Sequence, residues 1–405
     1  MQGAIAVAML YTIMVSSIKT PVNPFRYGGL ALDEAFADRE REVQELKFDV
    51  LNGQDVVIFA PRRYGKSSLV WKAMQQLVAD GVLVAYVNLM TTPTSEKLAE
   101  KLAATIYEHV ASPLERVREA ALAPFRGLRV SPRITISPED NSYTFSFGVD
   151  HVPADIDATL ERLLELPAEL AADQDQRVAL VFDEFQEIET IDPGLPKLMR
   201  TIFEQQPEVG HVYLGSRRHM MERIFNDENE PFWRSAKKVQ LDVIDPGLFR
   251  PFIAKRFKAS RKGVAPATLD DLLERTVGHP YATQELCYFL WEQTPFDGVG
   301  GEPELERAVA GVLRSEHAHF QLRWDQASAA QKLLLQALAA EPGRPLTKSY
   351  RARYELPSVA TLQSALRALT ERELVGQQPD RSYRIVEPFL AEWILALNVQ
   401  PGEEA

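Results

Sequence analysis

Ala60-Pro61-Arg62-Arg63-Tyr64-Gly65-Lys66-Ser67 lies between the apolar run Val56-Val57-Ile58-Phe59 and an amphipathic stretch. Strand, tight loop and helix start, in that order, make a cradle for an anion. Backbone N–H groups of the loop and first helical turn have no partner within the helix and point at the bound charge. Gly65 lets the backbone approach an oxyanion without a Cβ in the way. A lysine at position 66 places a point charge on the β- and γ-phosphates of a nucleotide, and the Ser67 hydroxyl is a hard oxygen ligand for Mg²⁺. The pattern G-x-x-x-x-G-K-[ST] has glycine at its first position. Here Ala60 stands there, the smallest available replacement. Residues Ala60 through Ser67, together with Ser68 in the first helical turn, are the predicted contacts to Mg·ATP.

Val178-Ala179-Leu180-Val181-Phe182 is a second apolar run, and it ends in Asp183-Glu184. The pair is expected to face the cradle from a neighbouring strand. Asp183 would order Mg²⁺, largely through water, and Glu184 would polarise the water that attacks the γ-phosphate in line. A single carboxylate at a strand end is often only a turn cap. Two in succession behind five apolar residues, downstream of a phosphate loop, fit the catalytic role better. A further apolar run, His211 to Leu214, ends in Gly215-Ser216-Arg217-Arg218. Ser216 is placed to touch the γ-phosphate or the attacking water. Arg217, Arg218 and Arg234 are candidates to stabilise transition-state charge, with ordinary ion pairs as the open alternative.

These residues need a frame that sets them at one edge. From Phe36 to about Val243, short apolar runs alternate with amphipathic stretches, the pattern of a parallel sheet with crossover helices. Asp38 is the expected cap of a first helix ending near Asn52-Gly53. Strands are expected at 56–59, 82–87, 178–182, 211–214 and 239–243. Residues 112–150 interrupt the rhythm with Pro113, Pro124, Pro132 and Pro138, and two β-runs there predict an inserted hairpin turning at Glu139-Asp140-Asn141. From Pro246 the strand signal stops, and helices are expected at 248–260, 268–277, 281–292 and 304–319. After Gln326 come three short helices and then a hairpin, the order of a winged helix. The fold class expected is α/β: a P-loop NTPase sheet of the AAA+ type with helices on both faces, a helical lid, then a winged helix. The expected divisions are an extension at 1–23, a nucleotide-binding domain at 24–245, a lid at 246–325 and a winged helix at 326–405.

The chain has 405 residues and a formal net charge of −12, so it does not attract DNA or anionic lipid by bulk charge. One cysteine, Cys287, excludes an intramolecular disulfide and suits the cytoplasm. The apolar segment Ala4 to Val15 is shorter than the roughly 20 residues of a spanning helix and lacks the basic start of a secretory signal. It reads as an extension, or as sequence ahead of a start at Met9 or Met14, and stable membrane insertion is not expected.

Taken together, Pro61-Arg62-Arg63-Tyr64-Gly65-Lys66-Ser67, Phe182-Asp183-Glu184-Phe185-Gln186, Gly215-Ser216 and Gly278-His279-Pro280-Tyr281 resemble the archaeal-type ATPases of the STAND group, a branch of the AAA+ P-loop NTPases. The resemblance runs from about Pro24 into the winged helix. It implies that Phe36-Ala37-Asp38-Arg39-Glu40 lies near the adenine, with Asp38 and Arg39 as nucleotide contacts. It also implies that Pro280, in the lid, lies against the nucleotide and reports its state. Relatives carry Gly-Arg where this chain has Trp233-Arg234; the arginine is kept and the glycine is not. An ATP/ADP-driven switch acting on a protein partner is the expected function, with a DNA-associated ATPase working through the winged helix as the alternative. Between Gln326 and Leu395 there are nine Lys/Arg and seven Asp/Glu, a mild excess for a DNA reader. An arginine acting in trans would require a nucleotide-dependent homo-oligomer.

Overall fold

A computed structural model describes residues 22–31, 36–37, 39–109, 130–137, 142–149, 156–378 and 380–397. These form two compact units. Arg39–Val243 and Glu341–Val386 make the first. The described residues before 39, Ile244–Ala340 and the described residues from Glu387 onward make the second.

The first unit begins with α1 (Glu40–Leu51), β1 (Val56–Phe59), α2 (Lys66–Ala79), β2 (Leu83–Asn88) and α3 (Ser95–His109). A hairpin follows, β3 (Val130–Ser137) with β4 (Ser142–Val149), then α4 (Ile156–Gln174) and β5 (Val178–Asp183). Next are α5 (Ile188–Ile191), α6 (Leu195–Phe203), β6 (Val209–Gly215), α7 (Arg218–Asn226) and β7 (Lys237–Gln240). Five strands pair in parallel in the order β2-β5-β6-β1-β7. Every residue of β1, β5 and β6 is buried. Such runs lack alternation because helices cover both sides of the strand.

Two expectations about this sheet need correction. The acidic pair is not on the strand beside the phosphate loop, because β6 stands between β1 and β5. All three runs are equally apolar, so their lateral order has no signature in one sequence. The last strand is Lys237–Gln240 rather than 239–243. It runs along β1 at the sheet edge with three of its four residues exposed, and an edge strand needs backbone partners more than apolar side chains.

The insert is antiparallel, as expected, with Val130 opposite Val149 and Ser137 opposite Ser142. Its expected turn at 139–141 lies outside the described residues, as does Asp38. Helix α1 starts at Glu40 behind Arg39, whose side chain does not cap it.

The second unit carries α8 (Pro246–Ala259), β8 (Gly263–Val264), α9 (Pro266–Thr276), α10 (Pro280–Gln293), β9 (Val299–Gly300), α11 (Glu302–Asp325) and α12 (Ala329–Ala340). The four helices expected from 248 to 319 are present. The parallel pair β8–β9 was not foreseen, since two residues are too few to show a period.

Residues 341–386 return to the first unit with α13 (Lys348–Arg353), α14 (Val359–Glu371) and the hairpin β10 (Val375–Gln377) with β11 (Tyr383–Ile385). Ser358 caps α14, and Leu362, Leu366 and Leu369 form its buried stripe. The chain closes in the second unit with α15 (Pro388–Leu397), which buries Phe389, Leu390, Trp393 and Ile394. Trp393 donates its indole N–H to His317 of α11 at 3.0 Å. No helix among the described residues is long and apolar enough to cross a membrane.

Candidate functional site

The loop after β1 turns through left-handed backbone twice, at Arg63 (φ 69°) and at Gly65 (φ 80°). Gly65 is the N-cap of α2. A Cβ there would meet nothing within 4 Å, so glycine answers to the backbone angle and not to crowding. Lys66 opens α2 and is only 7% exposed. Among the described residues no carboxylate comes within ion-pair distance of its Nζ. Burial pushes the ammonium down from its ordinary value, and Glu184, Asp183 and Glu373 act against that from further away. A buried cation without a close counter-charge is a strong attractor for an anion.

Arg39, 5% exposed, donates to the carbonyl oxygens of Asp242 at 2.6 Å and Tyr64 at 3.4 Å and pairs with Glu42 at 3.2 Å. It therefore ties the loop to the segment just after β7.

Asp183 ends β5. Its Oδ2 accepts from the Tyr86 hydroxyl of β2, and its Oδ1 accepts from the Glu184 N–H at 2.9 Å. Burial, then the bond to Asp183, raises the Tyr86 hydroxyl above its ordinary range, so it stays a donor. The sequence reading missed Tyr86. It pairs with Val181, two residues before Asp183 in the adjoining strand, so the two side chains share a face of the sheet.

Glu184 adopts a left-handed conformation (φ 54°, ψ 45°), which costs a β-carbon-bearing residue on the order of 1 kcal/mol or more. Its Oε2 accepts from Ser216 Oγ at 2.7 Å, from Ser216 N–H at 3.3 Å and from Gln186 Nε2. All three donors converge on one oxygen. Burial would raise this carboxyl, but Lys66, Gln186 and Ser216 outweigh it and hold Glu184 below its ordinary value. Gln186 belongs to the quoted motif, yet no role was foreseen for it; its Oε1 is buried without a hydrogen-bond partner.

The structure thus brings Lys66, Asp183, Glu184 and Ser216 together at the C-terminal ends of β1, β5 and β6, the usual ligand edge of an open α/β sheet. The arginines are employed differently. Arg217 pairs with Glu187 at 3.5 Å and Arg218 with Glu222 at 2.8 Å. The Arg234 guanidinium lies over the Trp233 ring at 5.0 Å. Pro280 begins α10 in the other unit. His279 caps that helix through Nδ1, accepting from Ala282 N–H at 3.2 Å. The carbonyl of Gly278 (φ 70°) accepts from Ile244 N–H at 2.9 Å, and a Cβ on Gly278 would fall 2.1 Å from the Ile244 oxygen. The Gly-His-Pro motif is thus a turn, a cap and a helix start.

Among the described residues no cluster of three or more His, Cys, Asp or Glu could hold a metal alone. A hydroxyl and a carboxylate, Ser67 and Asp183, are the hard-oxygen donors that suit Mg²⁺ brought in with phosphates.

Comparison with known proteins agrees with this geometry. The family described as an ATPase domain predominantly from Archaea matches residues 36–286, and a winged-helix domain family matches residues 318–396. The Walker-type ATPase of Pyrococcus abyssi is similar in fold, with a TM-score of 0.59 at 18% identity over 90% of this chain and 97% of that one. The ORC2 protein of Aeropyrum pernix, solved as ADPNP–ADP complexes, has a TM-score of 0.52 at 16% identity over 93% of this chain and 100% of that one. A search of curated proteins gives no match. The chain belongs to the ATPase family found predominantly in Archaea, built on a P-loop NTPase sheet and carrying a C-terminal winged helix.

Proposed function

We propose that this chain hydrolyses ATP slowly and works as a switch of the STAND kind, in which nucleotide state sets the position of the winged helix and so the contact with a protein partner. Its divisions would be a nucleotide-binding domain at 24–245, a lid at 246–325 and a winged helix at 326–405. The observation that carries the reading is that winged-helix residues 341–386 fold into the same compact unit as the phosphate loop and the acidic pair. A change at the phosphates then acts directly on the output segment.

In this mechanism the backbone N–H groups of Arg62 to Gly65 and the Lys66 ammonium hold the phosphates. Ser67 and Asp183 would hold Mg²⁺, which when bound neutralises charge on the β- and γ-phosphate oxygens. Tyr86 keeps Asp183 oriented. Ser216 and Gln186 fix Glu184 through Oε2, which leaves Oε1 to accept a proton from the attacking water. The unpartnered Gln186 Oε1 is a second acceptor close by.

Limited trypsin digestion tests the coupling. Cleavage within 341–386, after Arg351, Arg372 or Arg381, should differ severalfold in rate between Mg·ATP and Mg·ADP. Equal rates would remove the switch.

The mild basic excess of the winged helix favours a second reading, a DNA-associated ATPase. It expects filter retention of duplex DNA that falls steeply with salt and weakens when Arg351, Arg353 or Arg367 is replaced. Arg353 is already paired with Glu341. No retention at low salt leaves the protein switch.

A further inference from the structure

One residue at the phosphate loop comes from far along the chain. Glu373 lies in the turn between α14 and β10, in left-handed backbone (φ 57°). Its Oε2 is 4.0 Å from Arg62 Nε. Its Oε1 is buried and has no hydrogen-bond partner. Arg62 is 56% exposed and Glu373 only 19%, so the carboxylate is the more desolvated member of a loose pair. A carboxylate with one buried, unpartnered oxygen is costly unless another state of the protein uses it.

Its surroundings point to that use. Burial raises the Glu373 carboxyl; Arg62 and Lys66 pull it down, and Glu184 pushes it up again. The carboxylate thus lies against the phosphate loop itself, beside the Arg62 that precedes Lys66 in it. Two anions cannot share one cradle cheaply. We propose that Glu373 is the residue by which this chain distinguishes a nucleoside triphosphate from a diphosphate, its carboxylate competing with the γ-phosphate for the Arg62–Lys66 side of the loop. A diphosphate leaves Glu373 beside Arg62. A triphosphate repels it, and the turn carrying it moves with the winged-helix hairpin. This rests on the nucleotide-switch reading above and supplies its missing sensor.

The test is a titration of ATP and ADP against wild type, Glu373→Gln and Glu373→Asp, with Mg²⁺ present and hydrolysis excluded by short times on ice. Glu373→Gln keeps shape and removes charge. It should tighten ATP about tenfold, while ADP changes less than about threefold. Glu373→Asp, which keeps the charge, should stay near the wild-type ratio. Without nucleotide, Glu373→Gln should melt no lower than wild type at pH 7, because a poorly tolerated buried charge is gone. If ATP and ADP affinities shift together, or neither shifts, Glu373 does not discriminate, although the phosphate loop stands. If wild type binds neither nucleotide, both readings fall. A variant that melts well below wild type would overturn the proposal by showing that Glu373 is needed for the fold itself.

Discussion

Lys66→Ala should weaken Mg·ATP binding by about thirtyfold or more, read from a fluorescent-nucleotide titration. The size follows from the environment of the ammonium. It is nearly buried and has no carboxylate within ion-pair distance among the described residues. Removing one partner of a desolvated charge pair costs about 2–5 kcal/mol, or roughly a factor of 30 to several thousand in affinity. The same environment gives a control. In the absence of nucleotide this charge is held against its solvation preference, so the alanine variant should not melt much below wild type. An unchanged affinity for ATP would withdraw the phosphate-loop assignment. A large fall in melting temperature would mean that lost binding reflected lost structure.

Glu184→Gln should leave ATP affinity within about threefold of wild type and lower the hydrolysis rate by about 10²–10⁴. The amide is nearly isosteric, and its oxygen can still accept from Ser216 and Gln186, so the local network should survive. What is lost is the proton acceptor on the other oxygen. Because Lys66, Gln186 and Ser216 keep this carboxyl below its ordinary value, wild-type activity should not require alkaline conditions to ionise it. Phosphate release from the wild type and the variant, measured at one saturating ATP concentration, decides the matter. Equal rates would move the base elsewhere.

How much of this could be read in advance depended on whether a feature was local. The phosphate loop, the two carboxylates and Ser216 are adjacent to apolar runs that must be strands, so type and spacing were sufficient to place them at strand ends. The helix stripe Leu362, Leu366, Leu369 was legible for the same reason: its period is contained in a dozen residues. Features set by lateral neighbours were not. Tyr86 holds Asp183 only because β2 lies beside β5, and nothing in either run states that pairing. The insertion of β6 between β1 and β5 was hidden likewise. Glu373 was the most distant case, more than three hundred positions after Arg62, in a segment whose composition suggested only a turn. The arginines illustrate the opposite limit. Their residue type was informative, but Glu187 and Glu222 decided the use of Arg217 and Arg218, and those partners are one of many choices a sequence offers.

The first unit is assembled from two stretches of chain, Arg39–Val243 and Glu341–Val386, with Ile244–Ala340 between them. On a ribosome, which adds about 5–20 residues per second, the sheet and its lysine emerge on the order of ten seconds before Glu373 does. On the proposal above, the residue that tells a triphosphate from a diphosphate is therefore the last part of the cradle to be made, and only the finished chain discriminates between them.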